Sequence, residues 1–189
     1  FFYLNSSKVP LEESFFFSLL FLYLGIFIFL TLSNLIYQRI FLEKLYYSYD
    51  LFKKDTQILV DKCRDFEPEI LLAVARGGLT LAHLMSQAMN IRNLYTLNSI
   101  HYEGELKLDT FNIFNIPDIS NAKKVLIIDD IVDSGETMRE ILIILKEKFP
   151  NVEFKLATLF YKNTAVIQPD FSVREANTWI DFFWEVDVK

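Results

Sequence analysis

The chain has 189 residues, 19 Lys and Arg against 25 Asp and Glu, and one cysteine, which is room for one ordinary domain with an appendage. The single Cys63 excludes an internal disulfide framework and any multi-cysteine zinc or iron–sulfur site, so a reducing cytoplasm is the expected compartment. A net charge of −6 supplies no clustered basic footprint, and no nucleic-acid partner is expected.

Hydrophobic residues make up 52% of the chain, and nine of its 19 Phe fall in the first 45 residues. Residues 15–37 are uncharged and 18 of those 23 are apolar. At about 1.5 Å per residue, a helix of this length crosses a hydrocarbon layer of roughly 30 Å. An N-terminal apolar helix spanning a membrane is therefore one expectation. Arg39 and Lys44 after it, against Glu12 and Glu13 before it, would tether the following domain to the inner membrane face. A second reading competes with it. The Phe, Leu, Ile, Tyr, Asn and Ser bias, with no initial Met, is what translation of AT-rich sequence upstream of the true start would produce. Under either reading, residues 1–45 stand apart from a domain over 46–189, which carries the whole net charge.

Hydrophobic spacing from Tyr46 to Cys63, through Leu51, Phe52, Ile58 and Leu59, predicts a leading helix. Glu69 to Ala75, closed by Gly77-Gly78, reads as a strand buried on both faces. A helix follows from Leu79 to Met89, then a strand from Leu94 to Ile100. The polar stretch from His101 to Phe111 suits a mobile loop. Val125 to Ile128 is a four-residue apolar run ending in Asp129-Asp130, after which Met138, Ile141, Leu142, Leu145 and Phe149 mark one helical stripe. A further strand covers Phe154 to Phe160. Alternating strands and helices predict an α/β fold, a parallel twisted sheet with helices on both faces. Ligands of such sheets bind beyond the carboxyl ends of the strands, where Asp129 to Thr137 lies.

Asp129 and Asp130 are costly to bury and should face a cleft in which hydroxyls or a metal-bound ligand satisfy them. Asp133, Ser134, Gly135, Glu136 and Thr137 combine small hydroxyl residues, one glycine and the free N–H groups of a helix start, which is a cradle for phosphate. Vicinal acids beside such a cradle suit a sugar phosphate. Taken singly, the acids would be strand-end solvation and Ser134 an ordinary helix cap. Their coincidence at one strand end favours a site. Neither G-x-x-x-x-G-K-[ST] nor G-x-G-x-x-G occurs. Cys63 reads as a small buried hydrophobe, and neither His83 nor His101 has a partnering motif.

Four apolar residues, two acids, two apolar residues and Asp133-Ser134-Gly135-Glu136-Thr137 closely resemble the phosphoribosyl-diphosphate signature of the type I phosphoribosyltransferases. Within that family Ala75-Arg76-Gly77-Gly78, Phe160-Tyr161-Lys162 and Thr178-Trp179-Ile180-Asp181 with Trp184-Glu185 resemble the xanthine-guanine and hypoxanthine branch. The resemblance implies a small C-terminal hood over residues 163–189 and transfer of phosphoribose to a 6-oxopurine in purine salvage. Arg76 and Gly77 would contact pyrophosphate, with a cis peptide between Ala75 and Arg76. Asp129 and Asp130 would bind the ribose hydroxyls, with Mg2+ held mainly by substrate nearby. Ser134, Gly135, Glu136 and Thr137 would hold the 5-phosphate. Asp133 would be the general base near N7, Lys162 the donor to the 6-oxo group, Trp179 the stacking platform and the Ile180 backbone the reader of the 2-position. Glu105 and Lys107 would sit in a loop covering the reacting groups. The partners implied are phosphoribosyl diphosphate, a purine and further copies of the chain as a dimer or tetramer. The alternative is a non-catalytic regulator that senses the same donor.

Overall fold

The computed structural model of the protein describes residues 23–31, 44–102 and 110–188. The chain divides into two units, Phe1–Lys44 and Leu45–Lys189. In the first, residues 23–31 are helical and the remainder of the apolar stretch 15–37 lies outside the described residues. Among the described residues, no helix is long and apolar enough to cross a membrane.

The second unit begins within strand β1 (Lys44–Tyr47), and helix α1 (Tyr49–Cys63) follows. The leading helix thus starts later than its hydrophobic spacing predicts. Ser48 caps it, with extended backbone and a side chain that accepts the Leu51 N–H at 3.4 Å, while Asp50 and Lys62 sit at the helix ends their charges favour. Tyr46 and Tyr47 belong to the strand because β1 finds a partner, β8 (Trp179–Phe182), far along the chain.

The main sheet has six strands in the order β4-β3-β2-β5-β6-β7. These are β2 (Ile70–Ala75), β3 (Leu94–Tyr102), β4 (Thr110–Phe114), β5 (Lys124–Val132), β6 (Glu153–Tyr161) and β7 (Phe171–Glu175). All pairings are parallel except that of β3 with β4. The sheet is therefore mostly parallel as expected, with one antiparallel edge. That edge corrects the reading of His101 to Phe111 as loop throughout: β3 runs on to Tyr102 and β4 begins at Thr110. A polar residue such as Asn112 hides an edge strand, which is solvated along one side and needs little apolar alternation. Residues 103–109, with Glu105 and Lys107, lie outside the described residues.

Alternation along the buried strands explains the layers. Leu71, Ala73, Leu126 and Ile128 face α1 and α2 (Gly78–Met89), packing with Phe52, Leu59, Leu81 and Met85. Leu72, Val74, Val125 and Ile127 face the other side with Met138, Ile141 and Leu145 of α3 (Glu136–Lys148). Helices cover both faces, and Cys63 is buried with its thiol pushed up to about 12 by that burial. Of the stretch expected to form a hood, Phe171–Glu175 pairs with β6 in the main sheet and Trp179–Phe182 pairs with β1.

Candidate active site

A cleft of about 910 Å³ opens at the carboxyl ends of β2, β3 and β5. Arg76, Gly77, Asn98, Ser99 and Asp130 line it together with Trp184, Glu185 and Val186 from the chain end. The Ala75–Arg76 peptide is cis. The missing side chain of Gly77 makes room for Asp130: a Cβ there would stand 2.6 Å from both carboxylate oxygens, and the Asp130 side chain would have to turn aside. The loop after β2 and the acid at the end of β5 thus occupy one wall of one space, brought together because β2 and β5 are neighbours in the sheet.

Gly78 explains how that approach is held. A Cβ on it would lie 2.2 Å from the Ile128 carbonyl oxygen, so α2 starts in direct contact with the β5 backbone. Since backbone cannot swing aside, Gly78→Ala is expected to destabilise by about 3 kcal/mol or more. Urea denaturation checks this through a lowered midpoint at unchanged slope.

The two acids differ in setting. Asp129 accepts the Asp130 N–H on Oδ1 at 3.0 Å. Its carboxyl is pushed well above the usual range by burial and then by the charge of Asp130. Asp130 is 9% exposed and is pushed up to about 6, first by burial and also by Glu185, the acid that shares its cleft. Both carboxyls therefore gain from any ligand that offers hydroxyl donors or a cation.

Past Val132 the chain turns through Asp133, Ser134 and Gly135 into α3. Gly135 has φ of +80°, a conformation that side chains rarely adopt. Ser134 Oγ accepts the Glu136 N–H at 3.3 Å, and the N–H groups that open α3 follow it. The segment after β6 braces this turn. Val166 N–H donates to the Ser134 carbonyl at 2.8 Å, and a Cβ on Gly135 would meet Ile167 N at 3.0 Å. Gln168 Nε2 in turn donates to the carbonyls of Lys162, Asn163 and Ala165.

Lys162 Nζ is ion-paired with Asp133 Oδ1, joining the ends of β5 and β6, where Val132 pairs with Tyr161. The pair is partly exposed, so either partner can be drawn to a ligand at small cost. Trp179 is 65% exposed, whereas Ile180 beside it on β8 is buried.

The residues selected from sequence thus fall in three groups. Arg76, Gly77 and Asp130 line the cleft, and Asp133 and Lys162 are joined to each other beyond the same strand ends. Asp129, Ser134, Gly135, Glu136, Thr137, Trp179 and Ile180 do not line the cleft. Asn98 and Ser99 do, and sequence reasoning passed over them; Ser99 Oγ is buried with no hydrogen-bond partner among the described residues. The signal was their position where β3 runs out of its parallel pairing with β2, at Ala75 opposite Asn98.

The family model for the phosphoribosyl transferase domain matches residues 48–189. A xanthine-guanine phosphoribosyltransferase of Idiomarina loihiensis is 29% identical over 119 residues, 61% of this chain and 70% of that protein. A solved xanthine-guanine-hypoxanthine phosphoribosyltransferase of Helicobacter pylori is 39% identical, with a TM-score of 0.72 over 76% of this chain and 95% of that one. A purine phosphoribosyltransferase of Pyrococcus horikoshii is 28% identical, with a TM-score of 0.67 over 78% of this chain and 97% of that one.

Proposed function

The chain belongs to the phosphoribosyl transferase domain family through residues 48–189, and from that premise we propose that it moves phosphoribose from phosphoribosyl diphosphate to a 6-oxopurine in purine salvage. The observation that carries the reading is the shared cleft of Arg76, Gly77 and Asp130, in which the missing Cβ of Gly77 leaves the acid and the loop nearly in contact. A sugar diphosphate matches that juxtaposition. Its hydroxyls satisfy the acids and its diphosphate meets Arg76 and the Gly77 backbone. The 5-phosphate is held by the N–H groups of Ser134, Gly135, Glu136 and Thr137 at the start of α3.

The purine enters between Lys162 and Asp133 and replaces their ion pair. Lys162 donates to the 6-oxo group and Asp133 accepts the proton at N7, while Trp179 stacks on the ring and the Ile180 backbone reads the 2-position. The purine N9 lone pair forms the bond to the anomeric carbon, the bond from that carbon to the diphosphate oxygen breaks, and the electron pair leaves with pyrophosphate. Mg2+ would be held mainly by the substrate, with Asp130 in the cleft and Asp129 nearby offering the hard carboxylate oxygens it prefers. When bound, it neutralises the departing charge.

The test is transfer by the purified chain, supplied with phosphoribosyl diphosphate, Mg2+ and each of hypoxanthine, xanthine, guanine and adenine. Turnover with one or more 6-oxopurines is the expected result. Donor binding without turnover would make the protein a sensor of the donor instead, and activity on adenine alone would move it to another branch of the family.

A further inference from the structure

The reaction assigned above makes no use of a buried polar cluster formed by Tyr47, Asp55 and Arg174. Asp55 is fully buried on α1. Its Oδ2 accepts the Tyr47 hydroxyl at 3.0 Å and Arg174 Nε, and its Oδ1 accepts Arg174 Nη2 at 2.9 Å. The cluster ties together β1, α1 and β7. Asp55 is buried but the Arg174 side chain is 39% exposed, so solvent screens the ion pair and stability alone is a weak reason for this arrangement.

What Tyr47 touches on its other sides is the chain end. Its ring lies edge-on to Phe160, Phe182 and Trp184, at centroid distances of 4.9, 5.8 and 6.3 Å. Its carbonyl accepts the Phe183 N–H at 3.1 Å. Trp184 stacks on Phe182 at 4.7 Å, and Trp184, Glu185 and Val186 line the same cleft as Arg76, Gly77 and Asp130. One buried ring therefore has a fixed carboxylate at its hydroxyl and a wall of the cleft against its face and edges.

We propose that Tyr47, clamped by Asp55 and Arg174, is a positioning residue that sets the place of the Trp184–Val186 wall, and through it the affinity for the phosphoribosyl diphosphate that shares this cleft with Arg76, Gly77 and Asp130. The second half of that statement rests on the reaction assigned above; the first does not. Tyr47→Phe removes one hydroxyl and keeps the ring with its aromatic contacts, so the fold should survive. The chain has two tryptophans, and a Trp179→Phe background leaves Trp184 as the sole reporter of the wall.

In that background, Tyr47→Phe is expected to raise acrylamide quenching of Trp184 by about two-fold, since the released ring no longer fixes the indole. In the native background, the KM for phosphoribosyl diphosphate is expected to rise about five-fold while kcat and the purine KM stay within about two-fold. Asp55→Asn keeps an acceptor for the Tyr47 hydroxyl but removes the charge facing Arg174. It should lower the melting temperature more than Tyr47→Phe and move the KM for phosphoribosyl diphosphate less. The proposal is overturned if Tyr47→Phe lowers the melting temperature with Trp184 quenching and the KM for phosphoribosyl diphosphate unchanged, because the cluster is then structural only. A native chain inactive towards every purine sinks the assigned reaction instead, and the quenching measurement still decides the role of Tyr47.

Discussion

Asp133→Asn is expected to lower kcat with every accepted 6-oxopurine by about 10²- to 10⁴-fold, the usual range for loss of a positioned general base. The substitution keeps the side-chain shape and an oxygen for Lys162, so the local structure should persist, but an amide cannot take the proton that N7 must lose. The Kd for phosphoribosyl diphosphate should stay within about two-fold, because the donor meets Arg76, the twin acids and the α3 N-terminus rather than Asp133. Steady-state kinetics beside calorimetric titration of the donor separate the two quantities. A kcat that stays within about ten-fold of the native value would remove Asp133 from the base role.

Asp130→Asn should trade function for stability in a way that depends on pH. The carboxyl of Asp130 moves from 3.8 to about 6 in the fold, with burial the largest cause. Its pKa is raised, so the folded state holds the proton longer. The stability this lends is complete below the unfolded value and is lost as pH rises through about 6. Above that pH the ionised acid burdens the native state by on the order of 2 to 3 kcal/mol, and the uncharged amide should relieve it. The variant should therefore melt higher than the native chain at pH 7.5, with the gap closing below pH 4. Donor affinity should move the opposite way, falling about 10- to 100-fold as a charged acceptor for ribose hydroxyls is lost. Equal melting temperatures at pH 7.5 would mean that the cleft already solvates this carboxylate.

The readable parts of the chain were those in which local pattern and tertiary role coincide. Val125 to Ile128 followed by Asp129-Asp130 announces a buried strand with a polar end, because such a run leaves no other place for its side chains. The stripe from Met138 to Leu145 announces a helix packed on that sheet, and the turn at Gly135 requires the positive φ that glycine supplies without strain. Asp55 lay within reach too, standing on the inward stripe of α1 between Phe52 and Leu59. It went unread because an acid on an apolar face makes sense only with its partners, and Arg174 lies 119 residues away.

By itself the sequence determined the alternating α/β order, the layers and the chemistry available at the end of β5, since hydrophobic period and turn chemistry act over a few residues. Only the tertiary structure decided that β1 pairs with β8, that β4 runs antiparallel, and that Gly77 stands against Asp130 beneath a wall supplied by Trp184 to Val186. Those outcomes depend on contacts between distant segments. Short strands with weak alternation carry no local mark of the partner that completes them, and a cleft exists only once its walls have met.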